Sequence, residues 1–417
     1  MSYRQCPKRL YLEINKPELK EISAATEAAF RKGNEIGDIA RRIYGTEDAI
    51  FIPFEGGLQT AKNNSQRALA RDPRVPVFEA TVQYNAVLIR ADVMLPDGDG
   101  WHLIEVKAST SVKPEHLFDC AIQAWVLRRA GYRINAISLA HVNNRFEYPG
   151  SGDYGGLLLE EPIDEDVAAL EPSVPEWVAD ARASVAGSEP EVAVGKRCYT
   201  PYECAFVEHC WPTDTQFPIS GIGGNASKDA QGQWIARGYR DVRDIPPEEL
   251  NDTQLRIQNV AKSGQAELKD GARQFMAELD YPRYYLDFET AGPAIPVWPE
   301  TRPYKAIPFQ WSCHIEAGTG QLEHAEFLDL TGDLPVRRFA ESLIGVLGEN
   351  GPIVVYSSYE RRIIKECMAR FDDLRQPLER IQNGWSTCCR SPGSFTMTRQ
   401  WRVRGRSRLY CQRLHRN

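Results

Sequence analysis

The chain has 417 residues, of which 42% are hydrophobic and 26% charged, a composition that excludes a disordered or fibrous protein. Single hydrophobic cores rarely grow beyond about 250 residues, so the length predicts roughly two or three domains. The net charge of −7 gives no global electrostatic reason to bind nucleic acid, and any such binding must come from local grooves.

The sequence also bears on the compartment. No apolar run approaches the roughly 18 residues that a membrane span requires, and the first residues, MSYRQCPKRLYLE, lack the apolar stretch of a signal peptide. We therefore expect a cytoplasmic protein without membrane association. Ten cysteines are too few for a secreted disulfide scaffold of this length. Clustered cysteines in a reducing compartment are more often metal ligands, so their spacing matters more than their number.

The first half of the chain predicts an α/β unit. Residues 19–44 have Ala, Ile and Phe at helical spacing, which favours one or two helices. The short apolar stretches VFEATVQY, AVLIRADVML and WHLIEVKA predict strands, and the turn-rich PDGDG makes the last two a hairpin. A helix in EHLFDCAIQAWVLRRAG and a strand in AISLAHV follow. These elements together predict a mixed sheet with flanking helices.

The second half predicts a linker, another α/β domain and an unusual tail. Residues 226–276 have helical signals, and YYLDFET, FQWSCHI and PIVVYSS predict the strands of a domain that begins near Pro282. The expected boundaries are 1–220, 221–280, 281–383 and 384–417. The last segment holds eight Arg, no Lys and no acidic residue, so its composition is foreign to the rest of the chain.

The predicted hairpin carries the strongest chemical signal. Side chains two apart in a strand share a face, so Glu105 and Lys107 point the same way, and Asp92 lies on the adjacent strand. Two acids hold Mg²⁺ or Mn²⁺, the metal lowers the pKa of a bound water, and an ammonium stabilises negative charge on phosphate. Glu79 and Gln123 are candidates to complete the metal shell and position the phosphate. The alternative is ordinary polar residues on a half-exposed hairpin, because the pattern is short and common.

The context of this pattern resembles the RecB-type PD-(D/E)XK nucleases. IRAD and EVK are separated by twelve residues, and the following helix carries D-x-x-x-Q. The resemblance implies a restriction-endonuclease-like mixed sheet and metal-dependent cleavage of DNA. The sequence departs from the family where Leu127 replaces the usual tyrosine of that helix, and the superfamily's early histidine is not evident. Glu35 is a candidate replacement for this histidine, with a solvated helical glutamate as the alternative.

Four cysteines extend the same resemblance. Cys198, Cys204 and Cys210 form a C-x5-C-x5-C arrangement, and Cys6 lies far upstream. The iron–sulfur subgroup of RecB-type nucleases uses one cysteine before the nuclease core and three after it, so the resemblance implies a [4Fe-4S] cluster. A zinc site with four cysteines and buried free thiols are the alternatives. Zinc sites usually show paired C-x2-C spacing, which is absent here.

The second domain has an acidic motif of its own. YLDFET places Asp287 and Glu289 on one strand face, a pair of carboxylates suited to a divalent metal. The motif resembles the first motif of the DEDD exonucleases, which have an RNase H-like α/β fold. Glu360 lies where that family's second motif has an aspartate before a helix. The alternative is a strand end with incidental acids.

The order of parts over residues 3–383 resembles the bacterial family called domain of unknown function 2779. Its marks are the leading Cys, IEVKAS, the cysteine triplet, and YYLDFET with PYKAIPFQWSCH. The resemblance stops beyond Arg380. We interpret residues 384–417 as the product of a frameshift that leaves the second domain incomplete, with a basic arm that binds nucleic acid as the alternative.

These patterns together predict a metal-dependent nuclease that acts on DNA in repair, recombination or defence. The alternative function is non-catalytic binding of nucleic acid, with the cysteine cluster serving structure alone. The sequence identifies no protein partner.

Overall fold

A computed structural model describes residues 1–267, 270–318, 320–347, 350–355 and 357–387. The described chain divides into two compact units. The first unit consists of Met1–Pro212, Ser227–Ala236 and Pro293–Tyr304. The second unit consists of Thr213–Ala226, Arg237–Gly292 and the described residues from Lys305 onward.

The first unit contains both helices and strands in alternation. Its helices are α1 (Ser2–Gln5), α2 (Pro7–Asn15), α3 (Ala24–Tyr44), α4 (Leu58–Leu69), α5 (Pro114–Arg129), α6 (Asp164–Leu170), α7 (Val174–Ala186), α8 (Val207–Cys210) and α9 (Lys228–Ala236). Its strands are β1 (Ile50–Phe51), β2 (Val77–Tyr84), β3 (Val87–Asp97), β4 (Gly100–Lys107), β5 (Ile134–Val142) and β6 (Leu158–Pro162). The predicted hairpin, the helix after it and the strand AISLAHV are therefore confirmed.

The strands of the first unit form one mixed sheet in the order β1-β2-β3-β4-β5-β6. Strands β2, β3 and β4 are antiparallel neighbours, whereas β5 runs parallel to β4. Parallel neighbours need a crossover connection, and α5 supplies it here. The predicted mixed α/β fold with flanking helices is confirmed for this unit.

Alternation along β4 decides which side chains meet α5. Leu103 packs with Ala121 and Ala124 of α5, whereas Ile104 packs in a separate cluster on the other face. Full burial of such an aliphatic side chain contributes about 1.5–3 kcal/mol, which holds the strand in this register. Glu105 and Lys107 follow Leu103 at intervals of two residues and therefore lie on the face that α5 covers.

The second unit has a similar mixture of elements. Its helices are α10 (Asp252–Ser263), α11 (Asp270–Glu278), α12 (Val336–Val346), α13 (Tyr359–Arg370) and α14 (Arg375–Asn383). Its strands are β7 (Arg283–Ala291), β8 (Ile307–Glu316), β9 (Leu322–Leu328), β10 (Ile353–Val355) and β11 (Trp385–Thr387). The three strands predicted for this part of the chain are confirmed as β7, β8 and β10.

The described strands of the second unit form a mixed sheet in the order β11-β10-β7-β8-β9. Strand β8 is antiparallel to both of its neighbours, whereas β10 is parallel to β7 and to β11. The predicted basic tail covers residues 384–417, and residues 388–417 of it lie outside the described residues. The frameshift hypothesis concerns these residues and stays a prediction. None of the helices in the described ranges has the length and apolar character needed to cross a membrane.

Candidate active site

Strands β3 and β4 bring the first two predicted acids together. The two strands pair as far as Val93 and Ile104, and Asp92 and Glu105 are the residues that adjoin this pair. The Asp92 Oδ2 atom accepts a hydrogen bond of 2.8 Å from the backbone N–H of Val106. The Asp92 carboxylate therefore lies against the β4 backbone, next to Glu105.

The Lys107 ammonium lies between two carboxylates. Its Nζ atom is 2.5 Å from Glu105 Oε1 and 3.0 Å from Asp119 Oδ2, which belongs to α5. Glu105 is only 4% exposed. A buried, ionised carboxylate without a partner would cost several kcal/mol, and this ion pair lowers that cost for Glu105.

Gln123 holds the other oxygen of Glu105. Its Nε2 atom donates a hydrogen bond of 2.8 Å to Glu105 Oε2. The amide oxygen of Gln123 is buried and has no hydrogen-bond partner among the described residues. An unsatisfied buried acceptor costs about 1–3 kcal/mol and is rare in proteins. A hard cation or a water bound to it would satisfy this oxygen, so the side chain fits a metal shell.

Glu79 joins the site through an unusual backbone conformation. Its φ of 60° lies in the left-handed region, which costs a residue other than glycine about 1–3 kcal/mol and occurs at functional sites. The strand pairs on either side of it set Glu79 opposite Asp92. Its carboxylate forms an ion pair with Arg90, with Nε and Oε2 2.8 Å apart. Glu35, the candidate replacement for the missing histidine, is an exposed residue of α3.

Burial sets the electrostatics of this site. It raises the pKa of Asp92 to about 6, although the nearby Lys107 charge opposes this. Burial, together with the charge of Asp92, also raises the pKa of Glu105 well above its ordinary value. Burial by itself lowers the pKa of Lys107. The negative charges of Glu105 and Asp119 have the larger effect, and they hold the pKa of the ammonium well above its usual range. Two acids with raised pKa values thus lie near a lysine that stays charged. A bound divalent cation would lower the pKa values of the acids and favour their ionised forms.

Three residues near the predicted set carry contacts that sequence patterns did not indicate. Asp119 pairs with Lys107, and Arg90 pairs with Glu79. The hydroxyl of Tyr304 donates a hydrogen bond to the backbone carbonyl of Ala108, directly after β4. The sequence analysis included Asp119 only as the first residue of the D-x-x-x-Q pattern and gave it no role. No pattern in the sequence indicated Arg90 or Tyr304.

The four predicted cysteines line one small cavity. Cys6 lies between α1 and α2, and the other three come from residues 198–210. Burial raises the pKa of the Cys204 thiol, and it raises the pKa of Cys210 to about 11. In the described ranges, no group of three or more His, Cys, Asp or Glu side chains is spaced to hold a single metal ion. The four thiols therefore share a cavity without the close approach that one ion requires.

The predicted acids of the second unit lie near one edge of its sheet. Asp287 is at the middle of β7 and Glu289 is nearer its carboxyl end. Glu360 is a buried residue in the first turn of α13, just after β10. The carboxyl ends of parallel neighbours such as β7 and β10 meet at the same edge. A hydrogen bond of 2.5 Å between the hydroxyls of Thr290 and Tyr359 joins these two segments. The metal assignment of the three acids stays a prediction.

The comparison with protein families bears on this second unit. Residues 284–386 match the family described as Domain of unknown function (DUF2779). The match begins inside β7, ends inside β11 and includes Asp287, Glu289 and Glu360. It supports the predicted DUF2779 resemblance for this part of the chain and leaves the site around Lys107 outside the matched residues. No curated protein matches the chain.

Proposed function

We propose that the first unit is a metal-dependent nuclease of the RecB-type PD-(D/E)XK kind, which hydrolyses phosphodiester bonds of DNA. The observation that carries this proposal is the meeting of Asp92, Glu105 and Lys107 at the end of β4, with Gln123 bonded to Glu105. A restriction-endonuclease-like fold is part of the proposal. The mixed sheet with helices on its faces supports it.

The residues present fit Mg²⁺ or Mn²⁺. Asp92 and Glu105 offer carboxylate oxygens, and Gln123 offers the buried amide oxygen that has no partner among the described residues. A cation held there would lower the pKa of a bound water and polarise the phosphate. Glu79, paired with Arg90, stands at the rim of the same site and would orient solvent or substrate.

Lys107 has two successive roles in this proposal. Without a cation its ammonium pairs with both Glu105 and Asp119. With Glu105 holding a cation, the Lys107 ammonium would be available to stabilise negative charge on the phosphate oxygens. Asp119 keeps a contact of 3.0 Å with Nζ and is therefore a positioning residue for Lys107.

A cleavage assay tests the proposed function. Labelled single-stranded and duplex DNA are incubated with the anaerobically purified full chain in Mg²⁺, in Mn²⁺ and in EDTA. We expect shortened products with either cation and intact DNA in EDTA. Intact DNA in every lane, from protein that still binds it, would favour the alternative of a non-catalytic nucleic-acid-binding protein.

Gln123→Met is expected to weaken the binding of Mn²⁺ by about 10–100-fold, because groups that orient metal ligands have effects of this size. The substitution removes both the hydrogen bond to Glu105 and the amide oxygen. The measurement is a calorimetric titration with Mn²⁺. The matched control is Gln59→Met, which removes an exposed amide that donates to Asn63 on α4. Equal affinities in the two variants would remove Gln123 from the metal site.

We also propose that Cys6, Cys198, Cys204 and Cys210 hold a [4Fe-4S] cluster. Their shared cavity supports this, because four thiolates complete the coordination of such a cluster. A zinc ion held by the same four thiolates is the alternative. The clamp would join the start of the unit to residues 198–210 and so close a long loop, which stabilises the folded chain.

Cys198→Ser is expected to yield colourless protein with less iron and a lower melting temperature than the brown wild type. Loss of one thiolate leaves an iron without a protein ligand, and the clamp then opens. Elemental analysis and visible absorbance of anaerobic preparations measure the effect. The control is Cys313→Ser, a buried thiol of β8 in the other unit, which should keep its iron. Stoichiometric zinc in the wild type would contradict the cluster.

The second unit enters this proposal as an RNase H-like domain. The position of Asp287, Glu289 and Glu360 near one sheet edge supports a relation to the DEDD exonucleases. We assign the catalytic role to the first unit, where Lys107 accompanies the paired acids.

A further inference from the structure

Strand β9 is an unprotected edge of the second sheet. Among the described strands, the two sheets end at β1 and β6 and at β9 and β11. Strands β1 and β11 have two and three residues, and β6 ends in Pro162. Short length and proline both keep a sheet edge from pairing with another chain. Strand β9 has seven residues and no proline, so neither protection applies to it.

The backbone of β9 presents alternate residues to the open edge. The N–H group of Asp329, directly after the strand, donates a hydrogen bond of 2.9 Å to the carbonyl of Phe309 on β8. In antiparallel strands, residues that exchange such bonds alternate with residues that do not. The odd-numbered residues of β9 therefore bond to β8, and the even-numbered residues direct their N–H and C=O groups away from it. No described strand lies on that side.

The sequence of β9, LEHAEFL, is complementary to itself in an antiparallel pair centred on Ala325. In this register Leu322 lies opposite Leu328 of a second copy. The two leucines are 46% and 48% exposed, so the pairing covers apolar surface that is open in a single copy. A two-fold axis repeats every contact, as in most dimers of identical chains.

His324 and Glu326 supply the charge complementarity of the same register. They lie opposite each other across the axis, and both are even-numbered residues with backbone groups at the edge. The His324 Nε2 atom is 3.0 Å from Ser312 Oγ, which leaves Nδ1 to face the Glu326 carboxylate of the second copy. The other glutamate, Glu323, lies opposite Phe327. No position of this register therefore sets like charges opposite each other, an arrangement that would destabilise the pair.

We propose that β9 is an interface between two copies of this chain, which pair through residues 322–328 around a two-fold axis at Ala325. Two independent observations select this register, namely the direction of the backbone groups and the complementarity of the side chains. The pairing joins the second sheets of two copies into one continuous sheet. One strand pair is small for an interface, so we expect a dimer that dissociates on dilution. The inference is independent of the proposed nuclease function.

Sedimentation velocity of the full chain, from about 100 μM down to about 0.1 μM, measures the dimer. We expect His324→Glu to weaken dimerisation about ten-fold or more, because the axis then sets two pairs of glutamates across the interface. Adding Glu326→Lys to His324→Glu restores an opposite-charge pair at the same positions. This double variant should dimerise within about three-fold of the wild type.

Leu328→Lys tests the apolar pair and should also weaken dimerisation about ten-fold. Its matched control is Leu159→Lys on β6, which changes a leucine with 45% exposure on the edge of the other sheet. We expect the control to dimerise like the wild type.

Three results would overturn the inference. A wild-type chain that stays monomeric at every concentration would leave β9 without a second copy. A dimer that survives His324→Glu and Leu328→Lys unchanged would use a different surface. A double variant as weak as His324→Glu alone would show that positions 324 and 326 do not meet across the axis.

Discussion

Lys107→Met is expected to slow metal-dependent DNA cleavage by about 10²–10³-fold, the usual cost of removing one group that stabilises charge in the transition state. Methionine keeps the apolar stem but lacks the ammonium that lies between Glu105 and Asp119. Binding of Mn²⁺ should persist or tighten, because the metal then becomes the main cation near these acids. Single-turnover cleavage and a Mn²⁺ titration measure the two effects separately.

Lys62→Met is the control for this substitution. Lys62 belongs to α4 and donates a hydrogen bond of 2.6 Å to Gln83, so its loss also removes one polar contact in the first unit. We expect wild-type cleavage from this variant. Equal cleavage rates in Lys107→Met and Lys62→Met would exclude Lys107 from the chemistry and leave it as a structural counter-ion of buried acids.

Asp92→Asn is expected to abolish cleavage and, without metal, to stabilise the protein above pH 6. Burial raises the pKa of Asp92 to about 6, so the folded protein keeps a proton that the unfolded chain releases near pH 4. The stability that this group contributes is full below about pH 4 and is lost as the pH rises through about 6. Asparagine stays neutral and can still accept the hydrogen bond from Val106. The gain at about pH 8 is on the order of 2 kcal/mol.

Urea unfolding in EDTA at about pH 5 and about pH 8 measures this gain. The variant should exceed the wild type clearly at the higher pH and much less at the lower one. Asp99→Asn is the control, because Asp99 is 65% exposed in an ion pair with Arg133 and such pairs contribute little. An Asp92→Asn variant that is less stable at both pH values would mean that the charged carboxylate stabilises the fold.

Local sequence patterns were sufficient for the strands around the site. The alternation of Leu103, Glu105 and Lys107 is a property of β4 alone, and it indicates one shared face. The turn PDGDG joins β3 to β4 as a hairpin, and the pairing of Val93 with Ile104 brings the adjoining residues Asp92 and Glu105 near each other. For this reason the structure brings together the three residues that the sequence proposed.

The remaining contacts depend on tertiary packing. The pairing of Asp119 with Lys107 requires α5 to cross this part of the sheet, and the pairing of Arg90 with Glu79 involves a residue with a positive φ in the middle of β2. Tyr304 reaches Ala108 from 196 residues away. No short-range pattern encodes such distances, so these residues could be found only in the folded chain.

Anomalous diffraction from crystals soaked in Mn²⁺ tests the shared metal site most directly. We expect a Mn²⁺ ion bonded at about 2.0–2.6 Å to carboxylate oxygens of both Asp92 and Glu105, with the Lys107 ammonium displaced from Glu105. Soaked crystals of Asp92→Asn should show a much weaker peak at this position. Mn²⁺ bound elsewhere, with the contact between Lys107 and Glu105 intact, would contradict the proposed active site.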